Sequence, residues 1–125
     1  MTRIIAVDDD ARTLRLLVDV LGSVSQILTF DDPEIALSYL SDVGGADLLI
    51  IDIEMPTIDG FAIARAVREI PALSAMPILA LTGAAERDIA IRILEAGADA
   101  YLSKPVDIAD LRSVTKQLLD DRPHS

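Results

Sequence analysis

Aspartates follow two short aliphatic runs of this chain, and their clustering is the first indication of chemistry. Asp8, Asp9 and Asp10 come after the run RIIAV, and Asp52 comes after DLLII. If these runs are neighbouring strands, at least three carboxylates share one crevice. Two such charges about 4 Å apart repel by roughly 4 kcal/mol at an effective dielectric constant near 20, so the cluster must take up protons or hold a cation. Hard oxygen ligands without thiolate or imidazole suit Mg²⁺.

Two other polar residues follow later aliphatic runs. Thr82 comes after PILAL, and Lys104 comes shortly after AYL and directly before Pro105. Only two of the 11 basic residues are lysines, Lys104 and Lys116, so a lysine placed here indicates a role for a compact ammonium group. Each of these acids and donors has an ordinary alternative, as a helix cap, a loop residue or a solvated surface charge. Their convergence on one edge of a predicted sheet favours a site.

The alternation of strands and helices predicts that sheet. Strands apolar on both faces, each followed by a helix, indicate an open doubly wound α/β fold with a five-stranded parallel sheet and five helices. In the strand order 2-1-3-4-5, which we take from the family named below, the switch point lies between strands 1 and 3. Ligands bind there, outside the carboxyl ends of the strands. The aliphatic runs that predict the strands are 3–7, 26–30, 47–51, 77–81 and 100–102.

The segments between the runs have helical period and helix-end residues. We expect caps at one of Asp8 to Asp10, at Asp32 and at Asp107, and C-terminal glycines at Gly22 and Gly97. Four of these segments each place a set of residues on one predicted apolar face: Leu14, Leu17, Val18 and Leu21; Ile35, Ala36, Tyr39 and Leu40; Ile89, Ile93 and Leu94; and Ile108, Leu111, Thr115 and Leu118.

Composition excludes several classes of protein. A chain of 125 residues is sized for one domain, and without cysteine it has no thiolate metal site, disulfide or thiol nucleophile. A net charge of −10 argues against direct binding to nucleic acid or to an anionic membrane, because phosphate contacts require clustered Lys and Arg. The apolar runs are too short for membrane insertion, and no signal peptide is recognisable, so we expect a cytoplasmic protein.

Four motifs stand in order at the ends of the predicted strands: VDDD at 7–10, IIDIEMPTIDG at 50–60, ALTG at 80–83 and AYLSKP at 100–105. Together they closely resemble the receiver domain of two-component response regulators, the CheY-like superfamily. The resemblance covers nearly the whole chain and implies a flavodoxin/CheY-like fold, with a receiver domain over residues 1–120 and a short tail at 121–125. It implies a phosphoacceptor signalling domain, not an enzyme, that assists its own phosphorylation and dephosphorylation.

The same resemblance assigns an acceptor and a metal site. Asp52 would be the phosphoacceptor, and Asp8, Asp9 and Asp52 would hold Mg²⁺ together with the backbone carbonyl of Glu54. Attack of an aspartate oxygen on phosphorus gives an aspartyl phosphate, so the protein must supply mainly in-line positioning and charge neutralisation. A buried strand behind Asp52 would fix the line of attack.

Other positions are assigned to phosphoryl contact and switching. By resemblance, Thr82 and Lys104 would contact the phosphoryl oxygens, and the peptide bond before Pro105 would be cis. Tyr101 would turn inward when Thr82 moves toward the phosphate.

Two positions beside the site depart from the family pattern. Glu54 and Ala84 each lie two residues after a site residue, and their side chains should influence hydrolysis of the acyl phosphate. We predict that Glu54→Lys changes the rate of dephosphorylation more than the rate of phosphorylation.

Partners follow from the same resemblance. His124, the only histidine, stands next to the last residue in a short tail, so the phosphohistidine donor is expected to be a sensor histidine kinase or a histidine phosphotransfer protein. A downstream protein would bind the face formed by the fourth helix, fifth strand and fifth helix. The chain is expected to act alone or as the receiver portion of a longer regulator.

Rival interpretations come from other classes. A Mg²⁺-dependent aspartyl-phosphate phosphatase would place a second acid where Glu54 stands, but it would carry a substrate-enclosing insertion. A flavin-binding domain would need a phosphate loop after strand 1, where this chain has three acids. A degenerate receiver is disfavoured because every matched site residue is present.

Overall fold

Strands and helices alternate along the whole described chain, which comprises residues 2–55, 60–83 and 87–121 of a computed structural model, with the backbone alone at Arg87. A 3₁₀ turn at Pro71–Leu73 was not predicted, because three residues are too few to show a period. The elements are β1 (Thr2–Val7), α1 (Ala11–Leu21), β2 (Ser25–Phe30), α2 (Pro33–Val43), β3 (Leu48–Asp52), α3 (Gly60–Glu69), β4 (Ile78–Thr82), α4 (Arg87–Glu95), β5 (Ala100–Ser103) and α5 (Ile108–Asp121).

The described strands form one parallel sheet in the order β2-β1-β3-β4-β5. This confirms the predicted doubly wound α/β fold with five strands and five helices in the part of the chain that the structure describes. The direction of winding reverses between β1 and β3, so the crevice outside their carboxyl ends is the place where such folds bind ligands. β3 includes Asp52 itself, one residue beyond the predicted strand.

All five residues of β3 are inaccessible to solvent or nearly so, as are those of the neighbouring strand β4. Leu49 and Ile51 pack with α2 and α3 on one face of the sheet, while Leu48 and Ile50 pack with α1 and α5 on the other. Burial of each large aliphatic side chain stabilises the fold by about 1.5–3 kcal/mol. The strand that ends in Asp52 is therefore held from both sides.

Aspartates cap three helices, as predicted. Asp10 accepts the N–H of Arg12 at 2.9 Å at the start of α1. Asp32 accepts the N–H of Glu34 at 2.9 Å before α2, and Asp107 accepts the N–H of Asp110 at 2.9 Å before α5. One acid of the first aspartate run is thus used as a cap, which leaves Asp8 and Asp9 for other work.

The C-terminal glycines differ in conformation. Gly97, two residues after α4, has φ +112°, the left-handed conformation that favours glycine. Gly22 follows α1 in right-handed geometry with φ −69°. Gly44, which was not predicted, ends α2 with φ +82°.

The predicted apolar faces are partly wrong, because each contains one residue that solvent reaches. Val18, Ile35, Leu94 and Ile108 are all exposed, with Ile35 at 59%. In α1 the buried residues are Leu17, Val20 and Leu21, and Val18 is turned by about 100° from Leu17. The sheet covers a narrower arc of each helix than the apolar residues occupy.

Among the residues described, none of the helices combines the length and the apolar character that crossing a membrane requires.

Candidate functional site

The ends of β1 and β3 bring the predicted acids together. Val7 pairs with Ile51, so Asp8 and Asp52 follow side by side, and the N–H of Asp8 continues the sheet by donating to the carbonyl of Phe30 at 3.0 Å. Carboxylate oxygens of Asp8, Asp9 and Asp52 all lie within 4.8 Å of one another. Asp8 and Asp52 are buried, whereas Asp9 is exposed.

Backbone donors orient the two buried carboxylates. Oδ1 of Asp8 accepts the N–H of Asp10 at 2.8 Å, and Oδ1 of Asp52 accepts the N–H of Glu54 at 3.0 Å. The other oxygen of each carboxylate contacts the ammonium group of Lys104, at 2.7 Å from Asp8 Oδ2 and 3.3 Å from Asp52 Oδ2. Asp8 Oδ2 accepts no well-directed hydrogen bond from the described residues, so its contact with Lys104 is an ion pair.

The sheet also positions Lys104. Its N–H donates to the carbonyl of Thr82 at 2.7 Å, which extends the pairing of β4 with β5 by one residue. The peptide bond between Lys104 and Pro105 is cis. Burial lowers the pKa of Lys104, but its contacts with Asp8 and Asp52 outweigh burial and raise the pKa above the usual 10.5. Lys104 therefore carries its positive charge throughout the physiological range.

The site raises the proton affinity of Asp8. Burial raises the pKa of Asp8 above its ordinary 3.8. The ammonium of Lys104 and the N–H of Asp10 oppose this rise in pKa, while the charge of Asp52 adds to it. The ionised acid is thus held at a cost, which a cation at the cluster would reduce.

Thr82, at the carboxyl end of β4, is fully buried and hydrogen-bonded to an acid across the crevice. Its hydroxyl donates to Oε1 of Glu54 at 2.6 Å, and the N–H of Gly83 donates to the same oxygen at 2.7 Å. The sequence pointed to the backbone carbonyl of Glu54 and did not predict this role for its side chain.

Gly60 is a second residue whose role the sequence did not reveal. Its N–H donates to the carbonyl of Ile53 at 3.2 Å. A Cβ at this position would lie 2.5 Å from the Cα of Ile53 and 2.7 Å from the carbonyl oxygen of Asp52, so only glycine fits. The glycine that ends the motif IIDIEMPTIDG could have signalled such a close approach.

Tyr101 stands apart from the cluster. It lies on β5 opposite Ala80, two strands from β3, and its residue is 39% exposed. Two positions named from the sequence, Ala84 and His124, lie outside the described residues.

The donor set fits a divalent cation. When all three acids are ionised, three carboxylates and one ammonium leave a formal excess of two negative charges. Carboxylate oxygens are hard ligands, which Mg²⁺ prefers. Asp8 Oδ2 is buried, and among the described residues it forms an ion pair with Lys104. These are the properties expected of a site that takes Mg²⁺.

The doubly wound sheet, with acids and a lysine at its switch point, defines a receiver-type domain. A family model described as the response regulator receiver domain matches residues 4–116. The chain belongs to this family of two-component signalling domains, in which a phosphoacceptor role is general. Domains of the family generally bind Mg²⁺ through an acidic pocket and interact with sensor histidine kinases and downstream targets.

Individual relatives agree with this assignment. The chain is 36% identical to the cyclic di-GMP phosphodiesterase response regulator RpfG of Xanthomonas campestris pv. campestris, over 98% of this chain and 33% of that protein. It is 36% identical to the sensor histidine kinase RcsC of Salmonella typhi, over 87% of this chain and 11% of that protein. A crystal structure of a putative response regulator from Chloroflexus aurantiacus J-10-fl superposes with a TM-score of 0.89 at 32% identity, covering 95% of this chain and 98% of that one. The chain thus spans a third or less of the length of these two curated relatives.

Proposed function

We propose that this domain accepts a phosphoryl group from a partner phosphohistidine onto Asp52 and thereby changes its contacts with other proteins. An oxygen of Asp52 attacks phosphorus in line with the bond to the donor nitrogen. The new O–P bond forms as the N–P bond breaks, and the donor ring, protonated on its other nitrogen, leaves as neutral imidazole with the bonding electrons. β3, buried on both faces, holds the attacking carboxylate in place during this step.

The observation that carries the proposal is the position of Lys104 between two buried acids. Its ammonium lies 2.7 Å from Asp8 Oδ2 and 3.3 Å from Asp52 Oδ2, so a positive charge stands beside the acceptor before any phosphoryl group arrives. A preorganised charge of this kind stabilises the charge on a transferring phosphoryl group without reorganisation. We assign Lys104 and Thr82 to contact with the phosphoryl oxygens.

The metal ligands in this proposal are Asp8, Asp9, Asp52 and the backbone carbonyl of Glu54. When bound there, Mg²⁺ would supply charge neutralisation on the phosphoryl oxygens. The buried Asp8 and Asp52 fix two ligand positions through their backbone hydrogen bonds, and the exposed Asp9 leaves one side open to solvent and to the donor.

A cavity beside the site supports docking of the phosphodonor. It has a volume of about 470 Å³ and is lined by residues of α1 and of the segment after β5, among them Arg12, Leu16, Lys104 and Val106. The lining also includes Asp10, which pairs with Arg12 at 3.3 Å, so it is Lys104 and the apolar side chains that suit a protein partner carrying an anionic phosphohistidine. We assign the donor to a sensor histidine kinase or a histidine phosphotransfer protein.

We assign the output to the face formed by α4, β5 and α5. Both helices contact β5, and each carries exposed apolar residues, Ile91 and Leu94 on α4 and Ile108 on α5. β5 lies between these two helices in the sequence, and its Tyr101 is exposed. In the proposal, phosphate on Asp52 draws Thr82 inward, Tyr101 follows, and this face changes its preference for a downstream protein.

The proposed output depends on whether the domain is part of a longer protein. RpfG and RcsC are far longer than the part this chain matches. The domain acts either alone through protein contacts or as the receiver portion of a larger regulator, and the phosphorylation chemistry is the same in both cases.

Intact-mass measurement after incubation with acetyl phosphate and Mg²⁺ tests the proposal. The native protein is expected to gain one phosphate, and Asp52→Asn is expected to gain none while remaining folded by circular dichroism. Equal labelling of the two proteins would refute Asp52 as the acceptor. Steady release of phosphate from phosphate esters would instead support the phosphatase interpretation.

A further inference from the structure

The side chain of Glu54 accepts hydrogen bonds from two donor groups at the end of β4. Its Oε1 accepts the hydroxyl of Thr82 at 2.6 Å and the N–H of Gly83 at 2.7 Å. The second oxygen, Oε2, lies 3.4 Å from the position that a Cβ on Gly83 would take, so the whole carboxylate sits against this turn. One anionic group therefore takes two converging donors, in bonds as short as charge-assisted bonds usually are.

These donors follow the residue that pairs with the acceptor in the sheet register. Asp52 pairs with Leu81, so Thr82 is the next residue on the neighbouring strand, and the N–H of Glu54 donates to Asp52 Oδ1 at 3.0 Å. A phosphoryl group on Asp52 would also seek hydrogen-bond donors at the end of β4. Glu54 thus places an anion on the donor that the proposed function assigns to the phosphoryl oxygens.

We infer that Glu54 is a positioning residue that competes with the phosphoryl group for Thr82 and Gly83. While Asp52 is unmodified, the carboxylate holds both donors. When Asp52 is phosphorylated, the hydroxyl of Thr82 and the N–H of Gly83 leave Glu54 and donate to a phosphoryl oxygen, and the carboxylate moves into solvent. The inference rests on the proposed function and adds a residue that sets how readily the modified state forms.

This change of partner opposes phosphorylation, because Thr82 and Gly83 must give up their hydrogen bonds to the Glu54 carboxylate before they can donate to a phosphoryl oxygen. A hydrogen bond to a charged acceptor is worth enough that its loss changes an equilibrium constant on the order of tenfold. Removing the carboxylate should therefore tighten binding of a phosphoryl mimic. Glu54 is exposed, so its replacement leaves the buried core in place.

Calorimetric titration with beryllofluoride at saturating Mg²⁺ measures the competition, because this anion binds an aspartate as a phosphoryl mimic. Glu54→Ala is expected to bind it on the order of tenfold more tightly than the native protein. Glu54→Gln keeps an acceptor oxygen but loses the charge, so its affinity should fall between the two. Glu69→Ala, which removes one exposed negative charge from α3, is the matched control and should bind like the native protein.

A second background separates the hydrogen bonds from a general effect of charge. Glu54→Ala is compared in the native chain and in Thr82→Ala, where the hydroxyl is already absent. The gain in affinity should be smaller in the Thr82→Ala background, because one of the two released donors no longer exists. The amide proton of Gly83, followed by NMR, should shift upfield in Glu54→Ala as its short bond to the carboxylate is lost.

The outcomes are distinguishable. Equal affinity of the native protein and Glu54→Ala would overturn the competition. A gain that is undiminished in the Thr82→Ala background, with an unchanged Gly83 amide, would also overturn it and leave only repulsion between anions. If the native protein binds no beryllofluoride at all, the proposed phosphoacceptor function fails first, and the competition fails with it.

Discussion

β3 and β5 belong to one sheet, yet their surroundings differ as strongly as their proposed roles. β3 has a strand on each side and helices on both faces, and all of its residues, including Asp52, are buried. β5 is an edge strand in which partly buried and exposed residues alternate, and Tyr101 is among the exposed ones. The side chain proposed to attack phosphorus stands on the buried central strand. The side chain assigned to switching stands where it can move without opening the core.

The largest effect is expected from Lys104, whose ammonium group reaches from the end of β5 to the central acids. Lys104→Met should slow phosphorylation by acetyl phosphate on the order of a hundredfold, because a preorganised charge at the phosphoryl group is lost. Lys116→Met is the matched control, since Lys116 is the other lysine and pairs with Asp120 on the exposed side of α5. Similar rates for the two variants, measured by intact mass, would deny Lys104 a role in the reaction.

Paired truncations compare how firmly the two strands are held. Ile50→Ala on β3 should lower the free energy of unfolding by about 2–5 kcal/mol, because it leaves a cavity in a fully buried position. Leu102→Ala on β5 belongs to the same apolar cluster but starts partly exposed, so it should cost less. Urea denaturation of both variants checks this order. An equal or greater loss at Leu102 would contradict the contrast between the centre and the edge.

The buried Asp8 should make the stability of the metal-free protein depend on pH. The pKa of Asp8 is raised above 3.8 in the folded state, so the folded state binds its proton more tightly than the unfolded chain does. This stabilising contribution is fully present below pH 3.8 and is lost as the pH rises through the raised pKa. The difference in unfolding free energy between the native protein and Asp8→Asn, measured with a chelator, should change in favour of the variant across that window. Because Lys104 remains charged throughout, it contributes a constant offset. A difference that does not vary with pH would contradict the raised pKa of Asp8.

The smallest effect is expected at Tyr101. The chain has two tyrosines and no tryptophan, so Tyr39→Phe makes Tyr101 the sole source of tyrosine fluorescence. Quenching by acrylamide should weaken modestly when beryllofluoride and Mg²⁺ are added, because the side chain turns inward. Mg²⁺ alone is the control. Unchanged quenching with beryllofluoride bound would mean that the edge strand does not report on the acceptor.

The fold was predictable because short local sequence patterns indicate its strands and the starts of its helices. Runs such as LLII predict a strand buried on both faces, and aspartates before Ala11, Pro33 and Ile108 mark helix starts. The arc of each helix that meets the sheet was not predictable to the residue. Val18 and Ile35 are apolar and correctly spaced, but they lie at the rim of the contact, where packing geometry and not sequence period decides burial.

The candidate site likewise has features that the sequence predicts and features that it does not. The clustering of Asp8, Asp9 and Asp52 follows from strand order, and the neighbouring position of Lys104 follows from the carboxyl end of β5. The bond between Glu54 and Thr82 depends on a side-chain rotamer across two strands, which no local pattern records. The roles of Asp52 as acceptor, Thr82 and Tyr101 as switch and Glu54 as metal ligand stay predictions.

Calorimetric titration of the native protein with Mg²⁺, in the absence of any phosphodonor, tests the central claim most directly. One ion is expected to bind, and Asp8→Asn should weaken binding at least about tenfold, the loss produced even by residues that contact the ligands of a metal and not the metal itself. Absence of magnesium binding, or equal binding by folded Asp8→Asn, would contradict a cation site built from the ends of β1 and β3.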